Sequence, residues 1–323
     1  MNSLPIHRYF PNASQLVFGC MSLGGTWNAD PISKDTIQHA NAAIDAALEI
    51  GINVFDLADI YTLGKAELVF GEVLKQRPEL REHLILQSKC AIQFEDEQGP
   101  QRYNFSKEWI KTSVDGSLER LGIEQLDILE LHRPDPLMEG EEVACALMEL
   151  KAAGKVKHFG VSNFTGSQMA FLQTYLPFPI IANQIEMSLA SHNFVDDGIY
   201  GVHPEGASIN FASGTLEYCA HNNVQLQSWG SLAQGLYSGK DISKEAPHVQ
   251  QTANLVAELA KQYGSSKEAI VLAWLLRHPA NIQPVIGTAN PERIAACAQA
   301  LNIQLTREQW YSLYVSARGQ RLP

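Results

Sequence analysis

The chain has 323 residues, a formal net charge of −11, 45% hydrophobic and 18% charged residues. That composition supports a sizeable core and excludes a disordered chain. The acidic balance disfavours nucleic acid and anionic membrane surfaces as partners.

The opening MNSLPIHRYF has no apolar signal core, and no apolar run reaches the roughly 20 residues needed to span a bilayer. Cys20, Cys90, Cys145, Cys219 and Cys297 are odd in number and lack paired metal-ligand spacing, so reduced thiols in a cytoplasmic protein are expected.

Short, β-branched apolar runs cover residues 16–20, 52–57, 84–89, 126–131, 156–161, 180–185, 224–229 and 282–286. They read as buried parallel strands. Helical patterns lie between them. Ile37, Ile44 and Leu48 share one stripe, and Gly51 follows as a stop. Ser106 is a good N-cap for a helix over 107–121, with Gly122 past its end. A helix over 141–153 closes at Gly154. Residues 186–214 and 233–249 break the rhythm and are expected as loops over the active face.

Strand then helix, eight times over, predicts a closed α/β (β/α)8 TIM barrel. The open doubly wound alternative lacks a G-x-G-x-x-G turn after the first strand; Gly24-Gly25 alone is weak. No composition shift marks a second domain, so residues 1–323 are expected to form one. With no coiled coil or interface helix in view, a monomer or weak homo-oligomer is expected.

Four polar groups arrive at or just beyond the ends of successive predicted strands: Asp56 with Tyr61, Lys89 and His132. A buried strand-end charge is costly unless paired, so Asp56 and Lys89 are expected to satisfy each other, with Tyr61 and His132 close by. An adjacent ammonium is expected to lower the phenol's pKa. The phenol then protonates a substrate oxygen that the imidazole holds. Taken singly, a strand-end Asp or Lys is more often a structural ion pair or cap, and a tyrosine more often a packing residue. The set and its placement carry the reading.

The segments GINVFDLADIY, LILQSK, LDILELHRPD, GKVKHFGVSNF, NQIEMS, SWGSLAQG and VIGTANPERI together resemble the aldo-keto reductase superfamily across nearly the whole chain. LHRPDP and the C-terminal segment look most like its bacterial YdhF-type oxidoreductases. The resemblance implies a TIM barrel that reduces a small-molecule carbonyl with NADPH, bound without a Rossmann motif. It implies Tyr61, Asp56, Lys89 and His132 as the catalytic set. It implies Ser162, Asn163 and Gln184 around the nicotinamide carboxamide, where unaided reading makes Ser162-Asn163 a helix cap. Trp229 takes the place of the aromatic that stacks on nicotinamide. Ser231, Leu232, Gln234, Gly235 and Ser238 fall in the pyrophosphate-covering loop, with Lys240 either beside them or a solvated surface residue. Gly287, Thr288 and Arg293 face the adenosine 2′-phosphate. Gly287 replaces a lysine common in the family, so Arg293 is left to favour NADPH.

Trp27 is expected to line the substrate pocket; Trp109 and Trp310 read as packing. His192, His203 and Glu205 match no metal-ligand pattern, and the histidines are expected as exposed loop residues. A Schiff-base enzyme would also want a strand-end lysine at Lys89, though pairing with Asp56 keeps it charged. An NADPH-binding redox-sensing regulatory subunit with slow turnover is the non-catalytic alternative.

Overall fold

The computed structural model describes residues 3–323. Eight strands close a parallel barrel: β1 (Val17–Gly19), β2 (Val54–Asp56), β3 (Ile85–Cys90), β4 (Leu126–Leu131), β5 (Val156–Ser162), β6 (Ile180–Glu186), β7 (Gln225–Trp229) and β8 (Gln283–Ile286). Each pairs with its sequence neighbours, and β1 closes the ring against both β2 and β8. The eight apolar runs match these strands to within about two residues at either end, because each run is buried on both faces and alternation is not needed.

The helices form where the punctuation directs. α1 (Lys34–Glu49) ends before Gly51, which holds φ 80°. α2 (Lys65–Gln76) follows β2. α3 (Lys107–Leu121) starts where Ser106 accepts from the Trp109 N–H and stops at left-handed Gly122. α4 (Gly140–Ala152) and α5 (Gly166–Gln173) follow β4 and β5. The α5 cap is Thr165, in a reciprocal capping box with Gln168, so Ser162 and Asn163 are free of that duty.

Residues 186–214 are more ordered than a loop. They contain α6 (Asn193–Tyr200) and a 3-10 turn, Pro204–Ser208, before α7 (Thr215–Asn222). α8 (Pro247–Tyr263), α9 (Lys267–Leu276), α10 (Pro291–Ala298) and α11 (Arg307–Arg318) complete the outer layer. α11 reaches back to hold α6. The Asp196 carboxylate accepts from the Tyr314 hydroxyl, from Arg318 Nε at 2.9 Å, and pairs with His192 Nδ1 at 2.7 Å. His192 is thus half-buried against the Asp196 carboxylate rather than an exposed loop histidine. The Glu205 side chain lies outside the described residues. Trp310 stacks on Trp274 at 5.1 Å as packing.

The barrel interior is layered. At the N-terminal end, Leu4, Ile6 and Ala13 plug it against Val17, Val54, Ile85, Ile128, Ile181 and Val285. Above that apolar floor sits a polar layer of buried glutamines. Gln227 exchanges amide hydrogen bonds with Gln87 and donates to Gln283 at 3.0 Å. Mutual pairing removes most of the cost of burying these amides. A groove of about 1170 Å³, lined by Tyr9, Arg81, His83 and Lys157 among others, lies at the same N-terminal end, remote from the strand-end charges.

Candidate active site

The C-terminal ends of β2 and β3 place Asp56 and Lys89 inside the barrel. Lys89 Nζ lies 2.5 Å from Asp56 Oδ1, donates to the Leu57 carbonyl at 3.0 Å, and is 3.0 Å from the Tyr61 hydroxyl. Asp56 Oδ1 also accepts from Gln87 at 2.7 Å and Gln184 at 3.0 Å. Asp56 and Lys89 are almost fully buried.

Tyr61 is aimed by a tight turn. Thr62, Leu63 and Gly64 all hold left-handed φ, and the Tyr61 carbonyl accepts from Gly64 and Ala66 N–H. The loop after β1 presses on this turn. A Cβ on Gly24 would lie 2.0 Å from Thr62 Oγ1 and 2.7 Å from the Ala66 nitrogen, so only glycine permits the approach. Behind it, Glu67 accepts from Ser88 at 2.6 Å and from Arg120 Nε at 2.8 Å, anchoring α2. Burial pushes the neighbouring Asp59 carboxyl up to about 8.

His132 follows β4, with its ring edge-on to Tyr61 at 5.9 Å. Burial, then Lys89 and Arg133, hold the imidazole well below its usual range, so it is neutral at neutral pH. Its Nδ1 is buried without a partner among the described residues. For Lys89, burial opposes the ammonium, but the adjacent Asp56 carboxylate outweighs it and holds the amine above its ordinary value. Such an amine is not a Schiff-base nucleophile.

Tyr61 differs from the sequence expectation. Burial pushes its phenol up to about 12, and the pull of Lys89 only partly offsets this. Desolvation of the phenolate is the larger effect in the closed barrel. Tyr61 therefore keeps its proton throughout the neutral range.

Around the mouth, Asn163 adopts a left-handed conformation, φ 63°, that asparagine tolerates well. Its Nδ2 donates to the His132 carbonyl at 3.1 Å and to Ser162 Oγ at 2.9 Å, and its Oδ1 accepts from the Trp229 indole at 3.0 Å. Ser162, Asn163, His132 and Trp229 are thus brought together. Gln184 departs from the expectation: its side-chain nitrogen turns inward to Asp56 and Gln227, and its backbone carbonyl accepts from Ser162 and Asn163. Arg133, missed in the sequence reading, lies over the Trp229 ring at 5.9 Å.

The loop after β7 is compact. Ala233, Gln234 and Gly235 all hold positive φ, and the Gly235 carbonyl accepts from Ser238, Gly239 and Lys240 N–H. Leu232 is the N-cap of its 3-10 turn. The Ser231 hydroxyl turns inward onto Ser228. Lys240 pairs with Glu245 at 3.4 Å. After β8, Gly287 accepts from Ser22, and Thr288 Oγ1 accepts from the Asn290 N–H. Asn290 caps α10 through the Arg293 N–H. The exposed Arg293 guanidinium lies 3.5 Å from where a Gly239 Cβ would stand, so the segment after β8 faces the loop holding Ser238. Arg293 makes no ion pair among the described residues. Trp27 is exposed in the loop after β1.

The profile of the Aldo/keto reductase family matches residues 15–314. The chain belongs to the aldo/keto reductase family. It is 35% identical over 318 residues to the 6-dehydroglucose reductase of Agrobacterium fabrum, covering 96% of each chain. It is 35% identical over 283 residues to the oxidoreductase YdhF of Escherichia coli, covering 87% of this chain and 88% of that one. Among solved structures, a glycerol dehydrogenase from Gluconobacter oxydans superposes with a TM-score of 0.78 at 22% identity, covering 96% of this chain and 93% of that one; that likeness concerns the fold. This aldo/keto reductase is a carbonyl-reducing oxidoreductase with a Tyr/Asp/His arrangement at the barrel face, and its family works with nicotinamide dinucleotides. Among the described residues, no helix is long and apolar enough to cross a membrane, and no cluster of His, Cys, Asp and Glu is spaced to hold a metal.

Proposed function

We propose that this enzyme reduces a small-molecule aldehyde or ketone to an alcohol with NADPH, using Tyr61 as the general acid. The observation that carries this reading is the buried contact of Lys89 Nζ with Tyr61 at 3.0 Å and with Asp56 at 2.5 Å. The reduced nicotinamide supplies the hydride when bound. Tyr61 delivers a proton to the carbonyl oxygen. Lys89 stabilises the phenolate left behind, and Asp56 keeps Lys89 charged and fixed. Neutral His132 holds the carbonyl oxygen by a hydrogen bond, with Trp27 lining the outer pocket.

The residues at the mouth fit such a cofactor. Ser162 and Asn163 present hydroxyl and amide groups for a carboxamide, beside the Trp229 ring. Gln184 supports them through its backbone carbonyl and through Asp56. Ser231, Leu232, Gln234, Gly235 and Ser238 form the strap over the pyrophosphate. Arg293, with Thr288 and the unobstructed Gly287, takes the 2′-phosphate, and an unpaired exposed guanidinium suits that anion. Residues 1–323 act as a single reductase domain, monomeric or weakly associated, in the cytoplasm.

The test is a turnover screen of aldehydes, ketones and quinones with NADPH and NADH side by side. The 6-dehydroglucose reductase named above places 6-dehydroglucose in the panel. Oxidation of NADPH coupled to alcohol formation supports the reading. Tight NADPH binding with no aldehyde turned over faster than about one event per minute, against a typical enzyme near 10 s⁻¹, would favour a regulatory NADPH-binding role instead.

A further inference from the structure

Glu130 is an ionisable group of the barrel interior that the scheme above leaves without a part. It stands on β4 two residues before His132. The strand period of two therefore sends Ile128, Glu130 and His132 inward: Ile128 into the apolar floor, His132 to the mouth, Glu130 between them. In register, Glu130 sits opposite Lys89 on β3 and Gly160 on β5. A Cβ on Gly160 would come within 3.1 Å of Glu130 Cγ and 3.2 Å of Ala182 Cβ, so the glycine makes room for this carboxyl.

The side chain is completely buried, and neither carboxyl oxygen has a hydrogen-bond partner among the described residues. The titratable groups around it are Lys89 on β3, Asp56 on β2 and Tyr61 on the turn after β2, with His132 just past the end of its own strand. Gly160 on β5 and Ala182 on β6 bring no charge. His158, one layer below, turns to Tyr9 and Phe10. The nearest amides on β6 and β7, Gln184 and Gln227, bond to each other and to Asp56 or Gln87. A carboxylate without donors in so dry a place is unfavourable, whereas the neutral acid is tolerated. Burial, with Asp56 adding and Lys89 opposing, holds Glu130 well above the usual carboxylate range.

We propose that Glu130 is a positioning residue for carbonyl reduction: it carries a proton through the neutral range, leaving Lys89 facing one carboxylate, and its ionisation weakens Tyr61 as an acid. With Glu130 neutral, Lys89 and Asp56 balance, and the phenolate formed on proton delivery meets an ammonium. When Glu130 releases its proton to solvent, a second carboxylate shares that ammonium, and Tyr61 holds its own proton more tightly. The rate is therefore full below the Glu130 titration and falls through it. A like charge nearby moves an acid by about one to three pH units. With the proton about half transferred, the fall is roughly 3- to 30-fold.

This inference rests on Tyr61 being the acid, so the test separates the two. Single-turnover reduction of a reactive aromatic aldehyde by NADPH is followed across the neutral and alkaline range for the unmutated enzyme, Glu130→Gln and Tyr61→Phe. Glu130→Gln keeps the shape and the neutral state, and is expected to lose the alkaline fall while reducing at near wild-type rate at neutral pH. Superimposable profiles for the unmutated enzyme and Glu130→Gln, with Tyr61→Phe inactive, overturn the role of Glu130 and spare that of Tyr61. An active Tyr61→Phe overturns both. If Glu130→Gln does not fold, ¹³C-glutamate-labelled wild-type enzyme answers by NMR. One side-chain carboxyl is expected to remain protonated at neutral pH, and a full set of ionised glutamates there contradicts the inference.

Discussion

Replacing Lys89 by methionine separates the structural from the chemical work of the buried ion pair. The ammonium touches Asp56 at 2.5 Å, the Leu57 carbonyl at 3.0 Å and Tyr61 at 3.0 Å, with almost no exposure. Methionine fills a similar volume but leaves Asp56 as a buried carboxylate held only by Gln87 and Gln184. Removing one partner of a buried pair costs about 3–5 kcal/mol. Adding Asp56→Asn removes the stranded charge, so the double variant should regain much of that stability in a denaturant titration. Its rate should not recover. Without Lys89 the phenol loses the ammonium that partly offsets its burial, and with the proton about half transferred single-turnover reduction should fall roughly 3- to 30-fold. Stability and rate thus part company in the double variant. A Lys89→Met/Asp56→Asn enzyme that recovers both would refute the role given to the ammonium.

Other expectations follow from single contacts. Arg293→Ala should erase a preference for NADPH over NADH of about ten- to a hundredfold, chiefly by weakening NADPH, since one charge-assisted contact contributes about 1.5–3 kcal/mol; titration of Trp229 fluorescence with each cofactor measures it, and an undiminished preference contradicts the assignment. Asp196→Ala should release α6 from Tyr314, Arg318 and His192. That should raise KM more than it lowers kcat and speed protease cleavage within residues 193–210; unchanged KM and cleavage would mean the clasp does not shape the mouth. His278 is depressed by burial to about 4, so the unfolded chain takes up its proton first. Its contribution to stability is full above about pH 6.5 and is lost as pH falls toward about 4; the Tm of His278→Gln should therefore decline less over that window than that of the unmutated enzyme.

The barrel is legible in the sequence because its information is local. Runs such as INVF and LDIL are β-branched and short, and Ser106, Gly51 and Gly122 punctuate the helices by caps and left-handed turns. The strand ends then locate Asp56, Lys89 and His132. What depends on distant partners is not legible. α6 reads as loop because Asp196 is held by Tyr314 and Arg318, more than a hundred residues away. The inward turn of Gln184 depends on Gln227 and Asp56 across the barrel. The Tyr61 shift runs opposite to the sequence expectation because burial, not the adjacent lysine, is the larger effect. Glu130 does carry a signal: two residues before His132 on one strand, it must share the same face. Arg133 carries none, since nothing in LHRPDP says that the guanidinium reaches Trp229.

The central claim is that Tyr61 delivers the proton. Its most direct test is Tyr61→Phe, measured by single-turnover reduction of an aldehyde with NADPH alongside cofactor binding by fluorescence. Cofactor affinity is expected to stay within a few-fold of the unmutated enzyme while the rate falls by about 10²–10⁴-fold. Near wild-type reduction by the phenylalanine enzyme, on a substrate whose hydride step limits the rate, would contradict it.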